Sequence, residues 1–214
     1  MTDVTQNTRV LDLSELPATV FDTRSILWWG NLLLLFIETA MFGILLAIYF
    51  TVMSNTDPFP PPRIERMPVL YDSSPTLTLP IVCLGLLLIS LVPCILLDIS
   101  ARRRNPSGVK LNLILTLVIT IAAIIVRYYE FDSLNFKWDD NAYGSITWML
   151  LGMHMLHMIA LGSEDLFLLY WTFGKELDDK HALDLTVTAV YWYWIVGIWI
   201  VLFPIIYILP RFMH

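Results

Sequence analysis

The residues best suited to chemistry in this sequence are four ionisable side chains in one apolar stretch: His154, His157, Glu164 and Asp165. His157 follows His154 by three residues and precedes Glu164 by seven, and Asp165 follows His154 by eleven. These intervals place the four residues on one stripe of a helix with 3.6 residues per turn. Imidazole and carboxylate groups on one face could bind a metal ion, transfer a proton or make hydrogen bonds. We expect this face to look into the protein.

A metal or haem site on this face would need further ligands from other helices. The other two histidines are His181, which falls in a predicted loop, and His214. The Glu-x-x-His spacing of di-iron bundles does not occur in the sequence. The pattern therefore favours a structural, hydrogen-bonding role over a metal or haem site.

Glu38 is a further candidate, because it falls about midway along the first long apolar stretch. A carboxylate near the centre of a bilayer costs a few kcal/mol at least, so Glu38 must be protonated, paired or packed inward. Two interpretations stay open. Glu38 is bonded to a neighbouring helix or a lipid headgroup, or it transfers protons.

Hydropathy predicts the elements that position these residues. The chain of 214 residues is 57% hydrophobic and 15% charged, with a mean hydropathy of +0.67, which excludes a soluble domain. Spanning a membrane takes about 20 mostly apolar residues in a helix. Five stretches qualify: Ile26 to Met53, Leu77 to Leu97, Leu111 to Tyr129, Ser145 to Trp171, and Leu185 to Leu209. We predict an all-α integral membrane bundle of five transmembrane helices over residues 26–214, after a polar segment over residues 1–25.

Charges in the loops predict the orientation. The second loop is rich in arginine, at Arg102, Arg103 and Arg104, whereas residues 131–144 carry more aspartate than lysine. Basic loops stay on the cytoplasmic side. We expect a multi-pass membrane protein with the amino terminus in the cytoplasm and the carboxyl terminus outside.

Other features bear on partners and packing. The net charge of -6 lacks the basic footprint of a nucleic-acid-binding protein. Cys83 and Cys94 are about three helical turns apart, too far to form a disulfide. The segment over residues 54–76 carries six prolines and predicts an extended surface loop. Trp192 and Trp194 lie deep in the last helix, where we expect them to pack against a partner.

Several motifs follow one another along the chain: WWG before Glu38, AIYF, the proline-rich loop, RYYEF, AYGS and GMHMLHMIALG. In this order they resemble the subunit III family of haem-copper oxidases. Glu130 matches the acid of the family's EY or EF pair, AYGS matches its YGS, and His154 and His157 match its GxHxxH. Five helices fit the short version, which lacks the first two helices of the seven-helix form.

The last helix departs from the family pattern. Its run YWYWIVGIWIVLF resembles YWHFVDVVWIFLF, but Tyr193 stands where His is usual and Val196 where Asp is usual. Thr186 stands about where the family has Glu, and Glu38 is one position off the usual register.

The resemblance implies a non-catalytic subunit III of an aa3-type cytochrome c oxidase, which packs on subunit I, binds phospholipid between helices and supports proton uptake. It implies subunits I and II as partners, together with a small subunit IV and a larger respiratory supercomplex, and it leaves haem and copper on those partners. No catalytic, cofactor-binding or metal-binding residue is expected on this chain. The candidates for structural or lipid contacts are Glu38, Glu130, His154, His157 and Glu164.

Two alternatives stay open. An accessory subunit of a nitric oxide reductase would share the five-helix pattern. A small proton or cation transporter would line a path with Glu38 and the face of His154 and His157, although the second, third and fifth helices offer few polar residues for the rest of the path.

Overall fold

The computed structural model describes residues 25–61, 75–174 and 179–213. These ranges hold five long helices: α1 (Ile26–Ser54), α2 (Thr78–Arg102), α3 (Pro106–Asp132), α4 (Ala142–Gly174) and α5 (Asp179–Phe203). They contain no β-strand. Each helix is long and apolar enough to cross a membrane, so the predicted all-α bundle of five transmembrane helices is confirmed. The proposed polar segment lies, apart from Ser25, outside the described residues.

Successive helices run in opposite directions, which gives the bundle two ends. At the α2–α3 end, where α2 ends and α3 begins, the Lys110 ammonium lies 5.1 Å from the centroid of the Phe173 ring near the end of α4. At the α3–α4 end, an Arg211 guanidinium nitrogen donates to the Pro75 carbonyl at 2.5 Å, which joins the carboxyl end of the chain to the start of α2.

The helices run past the apolar stretches that predicted them. α2 continues to Arg102, and α3 begins already at Pro106. Hydropathy marks where contact with lipid ends, whereas helical hydrogen bonding continues into polar turns. The Asn105 side chain caps α3 by accepting a hydrogen bond from the Gly108 amide at 3.2 Å, and Pro106 suits the first turn because no N–H is needed there.

α5 packs against three other helices of the chain, α1, α2 and α4. Its Trp192 is 1% exposed and donates its indole N–H to the Ser90 hydroxyl on α2 at 2.7 Å. Trp194 is partly buried and donates to the Thr39 hydroxyl on α1 at 2.8 Å. The expectation that this pair faces a partner is wrong for Trp192, since its side chain is buried against a helix of its own chain. Sequence alone does not show which helices are neighbours.

The start of the proline-rich loop is non-helical over residues 55–61 and lies at the surface, where Asn55, Asp57 and Pro58 are exposed. Phe59 is an exception within it. Its side chain is buried, and its ring packs edge-on against Tyr143 at 5.2 Å between centroids. Residues 62–74 of the loop lie outside the described ranges.

Residues of the AYGS motif, at the start of α4, pack against and form hydrogen bonds with the loop over residues 133–141. A Cβ at Gly144 would collide with the Lys137 carbonyl, so the close approach requires glycine. The Asn141 side chain accepts from the Gly144 amide at 2.7 Å, and the Ser145 hydroxyl donates to the Trp138 carbonyl at 2.6 Å. The motif therefore has a structural explanation.

Candidate functional site: polar groups inside the bundle

The polar stripe of α4 is largely turned inward. His154, His157 and Asp165 are buried, whereas Glu164 is exposed. Adjacent positions on a helix are separated by about 100°, so Glu164 and Asp165 cannot share one environment. The expectation that all four residues face the interior is therefore wrong for Glu164.

His157 is bonded on both ring nitrogens. Its Nδ1 lies 2.6 Å from the Met153 carbonyl oxygen, which can only accept, so Nδ1 carries a proton. Its Nε2 lies 3.1 Å from the Glu38 Oε2 on α1. This second contact needs one proton, carried either by the imidazole or by the carboxyl group. In both forms the pair is neutral overall, which suits a site within the membrane.

The Glu38 side chain is 23% exposed, so the pair sits at the edge of the bundle rather than at its centre. The rings of Phe42 and Trp194 lie 5.5 Å and 5.4 Å from the His157 ring and shield it from the bilayer side. The pair of Glu38 and His157 therefore combines a dry histidine with a carboxyl group that reaches the surface.

His154 lies deeper. Its Nε2 is 3.1 Å from the Ile195 carbonyl oxygen on α5, and since a carbonyl only accepts, Nε2 donates. Its ring is tilted against the Trp199 ring, with 5.0 Å between centroids. The contact joins α4 to α5, which is the structural role that the stripe predicts.

Glu164 borders a groove between α1, α4 and α5. The groove has a volume of about 570 Å³ and lies towards the α2–α3 end. The Thr188 hydroxyl donates to the Glu164 carboxylate at 2.9 Å on its floor. Asn31, Asp184 and Tyr191 supply further polar groups, and the remaining lining is mostly aliphatic. The groove therefore offers both a polar and an apolar surface to an elongated amphipathic molecule.

Only one member, Glu130, of the most buried polar cluster in the described part of the chain was named from the sequence, and Arg127 and Tyr207 were missed. Arg127 and Glu130 on α3 are fully buried and form an ion pair at 2.6 Å. The Tyr207 hydroxyl also donates to this carboxylate, on the same oxygen. The Arg127 Cζ lies 3.6 Å from the centroid of the Trp199 ring, a close cation–π contact. An Arg and a Glu at i and i+3 in one apolar stretch was the signal that could have found the pair.

A change of helix type positions Tyr207. At Pro204 the chain turns from α-helix into a π-helical turn over Pro204–Ile208, followed by a 3-10 turn over Leu209–Phe212. Proline offers no N–H to an α-helical ladder, and the altered turn frees the Ile205 carbonyl to accept from the Tyr49 hydroxyl on α1 at 3.2 Å. The same turn brings the Tyr207 hydroxyl to Glu130.

These groups make hydrogen bonds and neutralise one another; they do not form a set of metal ligands. In the described part of the chain, no group of three or more His, Cys, Asp or Glu side chains could hold a metal ion. Cys83 and Cys94 are both buried and free.

Comparison with known proteins gives the family. The family model for cytochrome c oxidase subunit III matches residues 17–210. A probable cytochrome c oxidase subunit 3 of Mycobacterium leprae is 28% identical over 181 residues, covering 83% of this chain and 85% of the relative. Those of Mycobacterium bovis and Mycobacterium tuberculosis are 27% identical over 182 residues, with the same coverage. This chain belongs to the cytochrome c oxidase subunit III family and is thus a membrane subunit of an oxidase complex.

Proposed function

We propose that this chain serves as the non-catalytic subunit III of an aa3-type cytochrome c oxidase in a bacterial inner membrane. In this proposal it packs on subunit I, beside subunit II, and those partners hold the haem and copper. A small subunit IV and a larger respiratory supercomplex are further proposed partners. The observation that carries the proposal is the match of the subunit III family model to residues 17–210.

The proposed orientation has the amino terminus in the cytoplasm and the carboxyl terminus outside. Exposed Arg102 and Arg103 lie at the α2–α3 end, whereas exposed Asp132 and Asp139 lie at the α3–α4 end. The excess of basic residues at the α2–α3 end supports a cytoplasmic position for it.

The proposed ligand of the groove between α1, α4 and α5 is a phospholipid. Ile26, Leu27 and Leu34 offer an apolar wall for an acyl chain, and Glu164 with Asp184 offers polar contacts for a headgroup. The polar contacts lie towards the α2–α3 end of the bundle, where a headgroup layer would lie. A lipid in this position would also fill the groove that α1 leaves against α5.

Support of proton uptake is proposed for the pair of Glu38 and His157. In this pair, His157 Nε2 and Glu38 Oε2 lie 3.1 Å apart and share one proton. The pair reaches the bundle surface through Glu38. Passing this proton to a neighbour would leave the pair with a net negative charge, so a second proton arriving from the surface through Glu38 must replace it to keep the site neutral. Such a group at the edge of the bundle suits a subunit that assists a proton-pumping partner and stabilises the complex.

Replacement of Glu164 by glutamine tests the lipid proposal. We expect the purified complex to retain less phospholipid, because the charge at the groove is lost while the shape is kept. Native mass spectrometry of the complex counts the bound lipids. Ser163→Ala is the matched control, since Ser163 is exposed on the same helix and its hydroxyl donates to the Ile159 carbonyl of that helix at 2.8 Å. Equal lipid retention in Glu164→Gln and Ser163→Ala would contradict the proposal.

A further inference from the structure

Several polar atoms in the core near the α3–α4 end have no hydrogen-bond partner among the described residues. On Arg127 they are Nε and Nη2, and on Glu130 the atom is Oε2. Trp199 adds its indole Nε1 and His154 its Nδ1. All four side chains are at most 1% exposed, so bulk water does not reach them.

These four side chains form one contiguous group, with Trp199 at its centre. The Arg127 Cζ lies 3.6 Å from the centroid of the Trp199 ring, and the His154 ring centroid lies 5.0 Å from that of Trp199. Glu130 joins through its 2.6 Å ion pair with Arg127. The unpartnered atoms therefore belong to neighbouring side chains that come from three helices, α3, α4 and α5.

A buried donor or acceptor without a partner is costly, and lipid cannot supply one. The group offers three donors, Arg127 Nε, Arg127 Nη2 and Trp199 Nε1, and the acceptor Glu130 Oε2. His154 adds a second acceptor: its Nε2 donates to the Ile195 carbonyl, which leaves Nδ1 of a neutral ring with a lone pair. A ligand that pairs with these three donors and two acceptors must both donate and accept hydrogen bonds.

We infer that this group is a binding site for internal water, held between Arg127, Glu130, Trp199 and His154 inside the bundle. A buried water makes about three hydrogen bonds, so about two molecules would satisfy the five unpartnered atoms. Water bound here links the ion pair of α3 to the histidine of α4. The site thereby extends the polar core from Tyr207 towards the middle of the membrane.

X-ray hydroxyl-radical footprinting of the intact complex in lipid nanodiscs tests the inference. Radiolysis of a bound water oxidises the side chains next to it even when they are buried. Trp199 and Trp192 make a matched pair, because both are at most 1% exposed and both lie on α5. Trp192 Nε1 is already bonded to Ser90, whereas Trp199 Nε1 is unpartnered.

We expect Trp199 to be oxidised several-fold faster than Trp192. Equal rates for the two tryptophans would overturn the inference. The comparison uses the wild-type chain, so it does not depend on a variant that folds.

A cryo-EM map of the same complex, at a resolution that resolves water elsewhere, gives an independent reading. We expect density within hydrogen-bonding distance of Trp199 Nε1 and of an unpartnered atom of Arg127 or Glu130. A map with ordered water elsewhere but none in this group would contradict the inference.

Discussion

Replacement of Arg127 by methionine should strongly reduce the stability of the chain. Arg127 and Glu130 are fully buried, so the change leaves a carboxylate without its cation in a dry core. Removing one partner of a buried ion pair costs about 3–5 kcal/mol. The Tyr207 hydroxyl still donates to Glu130, but one neutral donor does not replace a charge. Thermal unfolding can be followed with a thiol-reactive dye, because Cys83 and Cys94 are buried and free.

Arg102→Met is the matched control for this prediction. Arg102 also faces a carboxylate, with Nε 3.0 Å from the Asp98 Oδ1, but its side chain is 51% exposed. An exposed ion pair contributes about 0–1 kcal/mol, so this variant should unfold close to the wild type. The double variant Arg127→Met with Glu130→Gln should recover part of the loss, because it removes the stranded charge. Equal unfolding temperatures for Arg127→Met and Arg102→Met would contradict the account of the buried pair.

Replacement of both His154 and His157 by leucine should reduce the amount of assembled complex while leaving the haem content per assembled complex unchanged. The variant loses the contact of His154 with the Ile195 carbonyl and leaves Glu38 without its imidazole partner. Each interhelical hydrogen bond is worth about 0.6 kcal/mol in a membrane protein, and at most about 1.7. Blue native electrophoresis measures assembly, and the visible spectrum measures haem.

Glu38→Gln is the control for the histidine variant. Glutamine keeps the hydrogen-bonding shape without the charge, and His157 can still bond to it at the same position. We expect this variant to assemble normally. Loss of a haem band from intact complex in the histidine variant would show that His154 or His157 is a ligand. Failure of Glu38→Gln to assemble would show that the ionised carboxylate is required.

The architecture was predictable because lipid imposes a simple rule. Backbone groups in the bilayer must be satisfied within each segment, so every long apolar stretch becomes a helix. The neighbours of α5 were not predictable, because Trp192 finds its partner, Ser90, on a helix far away in the sequence. Hydropathy reports how apolar a helix is but not which helices surround it.

The candidate site was predicted in part. Spacing placed His154, His157 and Asp165 on one inward face of α4, and the insertion cost of Glu38 required a protonated form, a partner or an inward position; the structure supplies the partner. The assignment of Glu130 to the acid of the family's EF pair stays a prediction. The roles of these residues in lipid contact and proton uptake stay predictions.

The link between Glu130 and Tyr207 lay beyond sequence reasoning. The two residues are 77 positions apart, and a helix of regular α-type through Pro204 would give Tyr207 another direction. Only the π-helical turn sets that direction. Arg127 was not singled out from the sequence, whereas the structure buries it fully, with its guanidinium over the Trp199 ring.

The most direct test of the account is to purify the tagged chain gently from native membranes, record its visible redox spectrum and identify the proteins that come with it. The account predicts the haem a bands of an aa3-type oxidase, together with copper and oxidase subunits I and II. Haem accompanied by non-haem iron would identify a nitric oxide reductase partner instead. A colourless protein without partners would contradict the subunit III account and favour a transporter.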